Sequence, residues 1–135
     1  MDTCIFCKII RKEIPSHFVY EDDDVVAFLD ILPTQKGHTL VVPRVHWETF
    51  LHTDDVILGK VAVVAKKIGK ALEKTVDAEG VNIIVNNGAA AGQVVFHLHT
   101  HVIPRFSGDG LKHWPGTPYK EGEADTILKD MKRNI

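Results

Sequence analysis

Apolar and polar positions alternate over several short stretches of this chain and recur at three- and four-residue intervals over one long stretch. Residues 18–21 and 25–29 read as two strands around an acidic turn, Asp22-Asp23-Asp24. That turn reads as a solvated hairpin rather than a metal site. Residues 38–42 form a third strand ended by Pro43, residues 81–85 a buried-type strand, and residues 94–103 a fifth strand with Pro104 at its edge. Thr53, Asp54 and Asp55 offer helix N-caps. The helix they open runs to about Thr75, with Val61, Val64, Ala65, Ile68 and Leu72 on one face and Lys60, Lys66, Lys67, Lys70 and Lys74 on the other. Ala62 and Val63 widen the apolar face, which suits a core or a helix pressed against a second subunit. Residues 4–12 read as a short helix closed by Pro15, and residues 123–132 as a final one. Residues 30–37 and 86–93 are loops, and 108–122 is irregular. Strands, one long helix, then strands give an α+β domain with a mostly antiparallel five-stranded sheet.

Composition narrows the function classes. A chain of 135 residues with 44% apolar and 25% charged content is one globular domain, residues 1–135. The formal net charge is -2 and no basic stripe stands out, so nucleic acid is not an expected partner. No run approaches the ~20 apolar residues that span a bilayer, so no membrane partner is expected. Met1-Asp2-Thr3-Cys4 is too polar for a signal peptide, and the expected compartment is the cytoplasm.

The chemistry concentrates in His97-Leu98-His99-Thr100-His101-Val102-Ile103. On a strand, residues two apart share a face, so the three imidazoles are expected in one row. Histidine suits proton transfer, nucleophilic attack or metal ligation better than core filling. A three-histidine metal site is the leading rival, but same-face neighbours stand ~7 Å apart, too wide for three ligands on one ion. The loop Asn86-Asn87-Gly88-Ala89-Ala90-Ala91-Gly92-Gln93 runs into this stretch. Its small residues can expose backbone N–H groups to an anionic oxygen, although a tight turn explains the glycines equally well. The two cysteines, Cys4 and Cys7, are spaced for metal or thiol chemistry. No βαβ pattern surrounds them to favour redox use, and a closed zinc site would need two further ligands.

Together these stretches resemble the histidine-triad (HIT) family. The histidine row, residues 5–15, Phe28-Leu29-Asp30-Ile31, residues 38–43 and residues 86–105 look like its nucleotide-binding Hint branch. The resemblance covers about 4–116, leaving 117–135 as an extension. It implies a purine nucleotide of AMP type, cleaved at the α-phosphorus through a nucleotidyl-histidine intermediate. His99 would be the nucleophile, and His101 would serve the phosphate and the leaving group. Asn86 and Gln93, beside Gly92 and Val94, would meet the phosphate, and Asp30 the ribose. Ile5, Phe6, Ile9, Phe28 and Ile31 would wall the base pocket, although plain core packing is an equal reading for Ile9 and Phe28. His38 would face the site and help hold the triad. His17, His52 and His113 read as surface residues. The resemblance also implies one structural zinc per chain on Cys4, Cys7, His46 and His97, and a homodimer with Trp114-Pro115-Gly116 near the partner's pocket. Val94 departs from the pattern, which carries Ser or Thr there, and removes a hydroxyl donor. The implied reaction is hydrolysis of phosphoramidates or acyl-nucleotides. Dinucleoside polyphosphate hydrolysis, or a nucleotide-binding interaction protein with weak catalysis, are the alternatives.

Overall fold

In the computed structural model, which describes residues 3–135, five antiparallel strands form one sheet. Met1 and Asp2, part of the polar start read above, lie outside the described residues. The strands are β1 (Phe18–Glu21), β2 (Val25–Leu29), β3 (Thr39–Pro43), β4 (Gly80–Ile84) and β5 (Thr100–Arg105), in the order β1-β2-β3-β5-β4. Three helices join them: α1 (Ile5–Ile10), α2 (Asp55–Thr75) and α3 (Glu123–Asn134).

α2 begins where its cap demands. The Asp54 carboxylate accepts from the N–H groups of Val56 and Ile57, satisfying two donors left open by the first turn. Its apolar stripe covers one sheet face, packing Val61, Val64, Ala65, Ile68 and Leu72 on Val25, Ala27, Val41 and Val102. The opposite face carries Val26, Phe28, Leu40 and Val42 under Phe6 and Ile9 of α1. β2 and β3 are thus buried on both faces, which is why they read as unbroken apolar runs. Each such side chain contributes ~1.5–3 kcal/mol on burial. Ala62 and Val63, which widened the stripe, stay exposed.

Gly37 fixes the join between the β2–β3 loop and this core. Its φ is +99°, and a Cβ there would stand 2.8 Å from Leu72 Cδ2. Only glycine satisfies both constraints.

The fifth strand differs from its expected span. It starts at Thr100, not 94, and continues through Pro104. β3 pairs with β5 only as far as Val41↔Thr100. Beyond that point the Leu98 N–H donates to the Trp47 carbonyl at 2.6 Å and the Pro43 carbonyl accepts from the His97 ring, so residues 97–99 leave the ladder. Pro104 is tolerated inside the strand because of where its nitrogen points. The neighbouring Arg105 carbonyl accepts from Glu79 on the β4 side, so Pro104 faces the side where β3 has not yet begun.

Candidate active site

The site lies on the sheet face opposite α2. Strand register sets Phe28 beside Leu40, Leu40 beside His101, and His101 beside Ile84. α1 lies along one side of this row, and the two leave a cleft of about 450 Å³. All five expected wall residues, Ile5, Phe6, Ile9, Phe28 and Ile31, line it, together with Asp30, Asn86, Gly92, Val94, His99 and His101. Leu40, Val95 and the Ile14-Pro15-Ser16 turn also line it and were not singled out from the sequence. Leu40 left no signal in the sequence, since it meets the site only as the β3 register partner of His101. A larger hollow of about 580 Å³ runs along β4 past Ile84, between Asn82, Ile103 and residues 111–114. The paired imidazoles stand in the smaller cleft.

Hydrogen-bond partners decide the tautomers. His99 Nδ1 stands 2.7 Å from the His97 carbonyl, which can only accept, so Nδ1 carries the proton and Nε2 keeps its lone pair. Phe6 meets the ring edge-on with centroids 5.0 Å apart. His38 Nδ1 accepts from the Thr34 N–H at 3.1 Å, so His38 donates Nε2–H to His101 Nδ1 at 2.9 Å. His101 is left with a proton on Nε2. The His99 and His101 rings are neighbours, centroids 5.0 Å apart. One therefore offers a free nitrogen lone pair and the other an N–H donor. Burial holds all of them neutral: it pushes His101 down to about 4 and lowers His38 and His99 as well.

Asp30 brings the one carboxylate among the expected contacts. Its Oδ1 accepts from the Leu32 N–H at 2.9 Å, and Oδ2 stands 3.7 Å from His38 Nε2. Gln93 is a different case from the one expected. Its amide donates to the carbonyls of Glu48 at 2.7 Å and Val95 at 3.1 Å, and its Oε1 accepts from the Gly88 N–H at 2.8 Å. Both donors are used inside the protein, so Gln93 shapes the 88–93 loop from beneath. Asn86 does reach the cleft, with its amide 3.5 Å from the Gly92 carbonyl. Gly92 has a left-handed φ of +95°. Val94 is 86% exposed on the rim.

A second cluster adjoins the first. Cys4, Cys7, His46 and His97 bring one ligand atom each to within 4.8 Å of one another. Cys4 is the N-cap of α1, Cys7 sits one turn on, His46 follows β3 and His97 precedes β5. The His97 Nε2–H donates to the Pro43 carbonyl at 2.8 Å, which turns a bare Nδ1 toward both sulfurs at 3.5 Å. His46 Nδ1 lies 3.3 Å from Cys7 Sγ. Zinc bonds of ~2.3 Å to sulfur and ~2.05 Å to nitrogen, at tetrahedral angles, set ligand atoms ~3.5 Å apart. The donor set and its spacing therefore fit a closed zinc site, with the Pro43 carbonyl orienting one ligand from the second layer. Asp30, His38 and His101 also converge within 4.8 Å, but His38 and His101 spend facing nitrogens on each other.

A model of the HIT domain matches residues 11–108. The adenylylsulfatase HINT3 of Arabidopsis thaliana is 43% identical over 138 residues, covering 98% of this chain and 69% of that protein. A crystal structure from Streptococcus mutans shares 40% identity and a TM-score of 0.93, over 99% of this chain and 86% of its own. A zinc-bound histidine triad family protein from Mycobacterium smegmatis shares 34% identity and a TM-score of 0.80, over 99% of each chain.

Proposed function

The chain belongs to the HIT domain family, and from that premise we propose that it hydrolyses purine nucleoside phosphoramidates or acyl-nucleotides at the α-phosphorus. The observation that carries this reading is the complementary tautomer pair. His99 presents a bare Nε2 and His101 presents Nε2–H, side by side on one cleft. A cleft of this volume with apolar walls and few polar groups is suited to a nucleotide.

The base lies between Ile5, Phe6, Ile9, Phe28 and Ile31, and Asp30 accepts from the ribose hydroxyls through its free oxygen. His99 Nε2 then attacks phosphorus, forming a P–N bond while the bond to the leaving group breaks and its electron pair departs with that group. The His101 Nε2–H donates to a phosphoryl oxygen and steadies the growing charge there, as does the Asn86 amide. In the second half, water attacks phosphorus and the P–N pair returns to His99 Nε2. The water proton leaves to solvent, and a nucleoside monophosphate is released.

Val94 bears on the leaving group. A carboxylate or a sulfate departs as an anion and needs no proton, whereas an amine must take one as it leaves, from the His101 Nε2–H, which then recovers a proton from solvent. With no hydroxyl at position 94, acyl and sulfo leaving groups are favoured. The Arabidopsis relative is an adenylylsulfatase, which supports including adenylyl sulfate among the substrates assayed.

Cys4, Cys7, His46 and His97 would hold one zinc, which ties α1, a cleft wall, to the segments after β3 and before β5. The zinc-bound Mycobacterium smegmatis relative supports this assignment. A homodimer completes the proposal. β4 is an open edge of the sheet, and Ile83 on it and Val63 on α2 are each more than half exposed.

Mass spectrometry of a quenched reaction tests the mechanism. A nucleotidyl adduct on His99, and loss of both adduct and turnover in His99→Ala with AMP binding retained, are expected. Dinucleoside polyphosphate hydrolysis is the second enzymatic reading, and turnover of those substrates above phosphoramidates and acyl-nucleotides would replace the first. AMP binding without turnover of any of these substrates would leave only a binding protein.

A further inference from the structure

Cys4 and Cys7 are both free thiols, and they differ in access. Cys7 is buried, whereas Cys4 is half-buried between the exposed Thr3 and Ile5. Cys4 is the N-cap of α1, and the Cys7 N–H, three residues on, donates to Cys4 Sγ at 3.5 Å. Helical geometry sets Cα atoms at that spacing ~5 Å apart, inside the ~4.4–6.8 Å that a disulfide spans. The two sulfurs stand within 4.8 Å of one another, and both stand 3.5 Å from His97 Nδ1. The donor set that fits zinc is therefore also a dithiol able to close on itself. Among the described residues α1 precedes every strand, so no βαβ unit surrounds the pair and nothing points to thiol exchange as a catalytic activity.

We propose that Cys4 and Cys7 are a site of reversible oxidation by hydroperoxides, and that their disulfide empties the metal site and weakens the cleft; this rests on the zinc reading of Cys4, Cys7, His46 and His97. Cys4 Sγ, the accessible thiolate, attacks one peroxide oxygen. The O–O bond breaks, an alkoxide or hydroxide departs with the electron pair, and Cys4 becomes a sulfenic acid. Cys7 Sγ attacks that sulfur, the S–S bond forms and hydroxide leaves. The two thiolates lose two electrons, the peroxide gains them, and both departing anions take protons from solvent. The disulfide sulfurs carry no charge, so His46 and His97 alone remain as ligands, two short of a closed zinc site. The cleft feels this along two routes. Phe6 lies between the two cysteines and meets the His99 ring edge-on at 5.0 Å, and Ile5 and Ile9 of the same helix line the cleft. His97, released from the metal, carries the carbonyl that orients His99.

The test treats the zinc-loaded full chain with a small molar excess of hydrogen peroxide. A pyridylazoresorcinol dye reads free zinc, and mass spectrometry of the tryptic peptide 1–8, which holds both cysteines, reads the thiols. Zinc should be released in step with the loss of two hydrogen atoms from that peptide, and dithiothreitol with added zinc should restore both. AMP affinity should fall at least about tenfold in the oxidised protein and return on reduction. Zinc retained while peroxide is consumed elsewhere in the chain, or a cysteine sulfinic acid formed in place of the disulfide, overturns the oxidation site and leaves the zinc site standing. Zinc release with unchanged AMP affinity overturns the link to the cleft. A full chain that takes up no zinc before oxidation, by elemental analysis, overturns the zinc reading and the proposal with it.

Discussion

The His99 ring is held by the backbone of His97, whose carbonyl accepts the Nδ1–H at 2.7 Å. The His97 ring points elsewhere, with Nε2–H on the Pro43 carbonyl and Nδ1 toward Cys4 and Cys7. One residue thus stands between the metal group and the nucleophile. Zinc that binds the folded state alone should stabilise it by about 2.7 kcal/mol at a hundredfold excess over its Kd. Calorimetry of stripped and zinc-loaded protein checks this. Turnover should fall with the stripped form, because the carbonyl that orients His99 loosens with its own ring. A melting temperature indifferent to zinc would refute the site.

His38 sets the tautomer of His101 by donating to its Nδ1 at 2.9 Å. Replacing His38 with Ala removes that donor and lets His101 carry its proton on the wrong nitrogen. A lost hydrogen bond of ~1–3 kcal/mol corresponds to about a 10- to 100-fold fall in kcat. KM should change less than kcat, since the base contacts lie elsewhere and Asp30 keeps its bond to the Leu32 N–H. Nitrogen NMR of the His101 ring should show the tautomers mixed in the variant and single in the wild type.

Val94 is exposed on the cleft rim, so a hydroxyl there costs no core packing. Val94→Ser should raise kcat/KM for an adenosine phosphoramidate by at least about tenfold, short of the ~10²–10⁴-fold of a fully placed proton donor. Hydrolysis of an acyl-adenylate should stay within a factor of about two. Equal gains on both substrates would show that the residue acts on binding rather than on the leaving group.

Burial lowers His101 from its ordinary value of 6.5 to about 4, and lowers His38 as well. The unfolded chain therefore binds more protons than the folded one across that interval. The stability these neutral rings contribute is complete above pH 6.5 and is lost as pH falls from there toward 4. His101→Asn should flatten this part of the profile. Urea unfolding of both proteins at pH 7, 5.5 and 4.5, at equal zinc loading, measures the difference.

Gly37 meets Leu72 Cδ2 at 2.8 Å from the place of a missing Cβ, at φ +99°. Gly37→Ala should cost at least about 1–2 kcal/mol from the backbone alone. The contact with Leu72 adds to that cost. Denaturant midpoints read it directly, and a variant as stable as the wild type would mean that the loop and Leu72 shift freely.

Much of the fold was legible because its causes are local. The Asp54 cap and the Val61-Val64-Ala65-Ile68-Leu72 spacing are properties of neighbouring residues, and α2 runs from Asp55 to Thr75 around them. The apolar runs at 25–29 and 38–42 read as strands, and the structure adds that they are covered from both sides. The cleft walls Ile5, Phe6 and Phe28 were named from their place in a resemblance, while Leu40 was missed because its relation to His101 exists only across two paired strands.

The sequence by itself determined which chemistry is present: three alternating histidines, a cysteine pair, and Asp30 and Asn86 in the loops beside them. Only the tertiary structure decided what each does. Which imidazole nitrogen is free depends on acceptors and donors far along the chain, the Pro43 carbonyl for His97 and the Thr34 N–H acting through His38 for His101. Gln93 turned from the cleft because the Glu48 and Val95 carbonyls claimed its amide. β5 began late because the Trp47 carbonyl took the Leu98 N–H and the His97 ring took the Pro43 carbonyl, groups that a longer ladder would have used. Periodicity records the faces of elements, but a hydrogen bond between distant segments leaves no period to read.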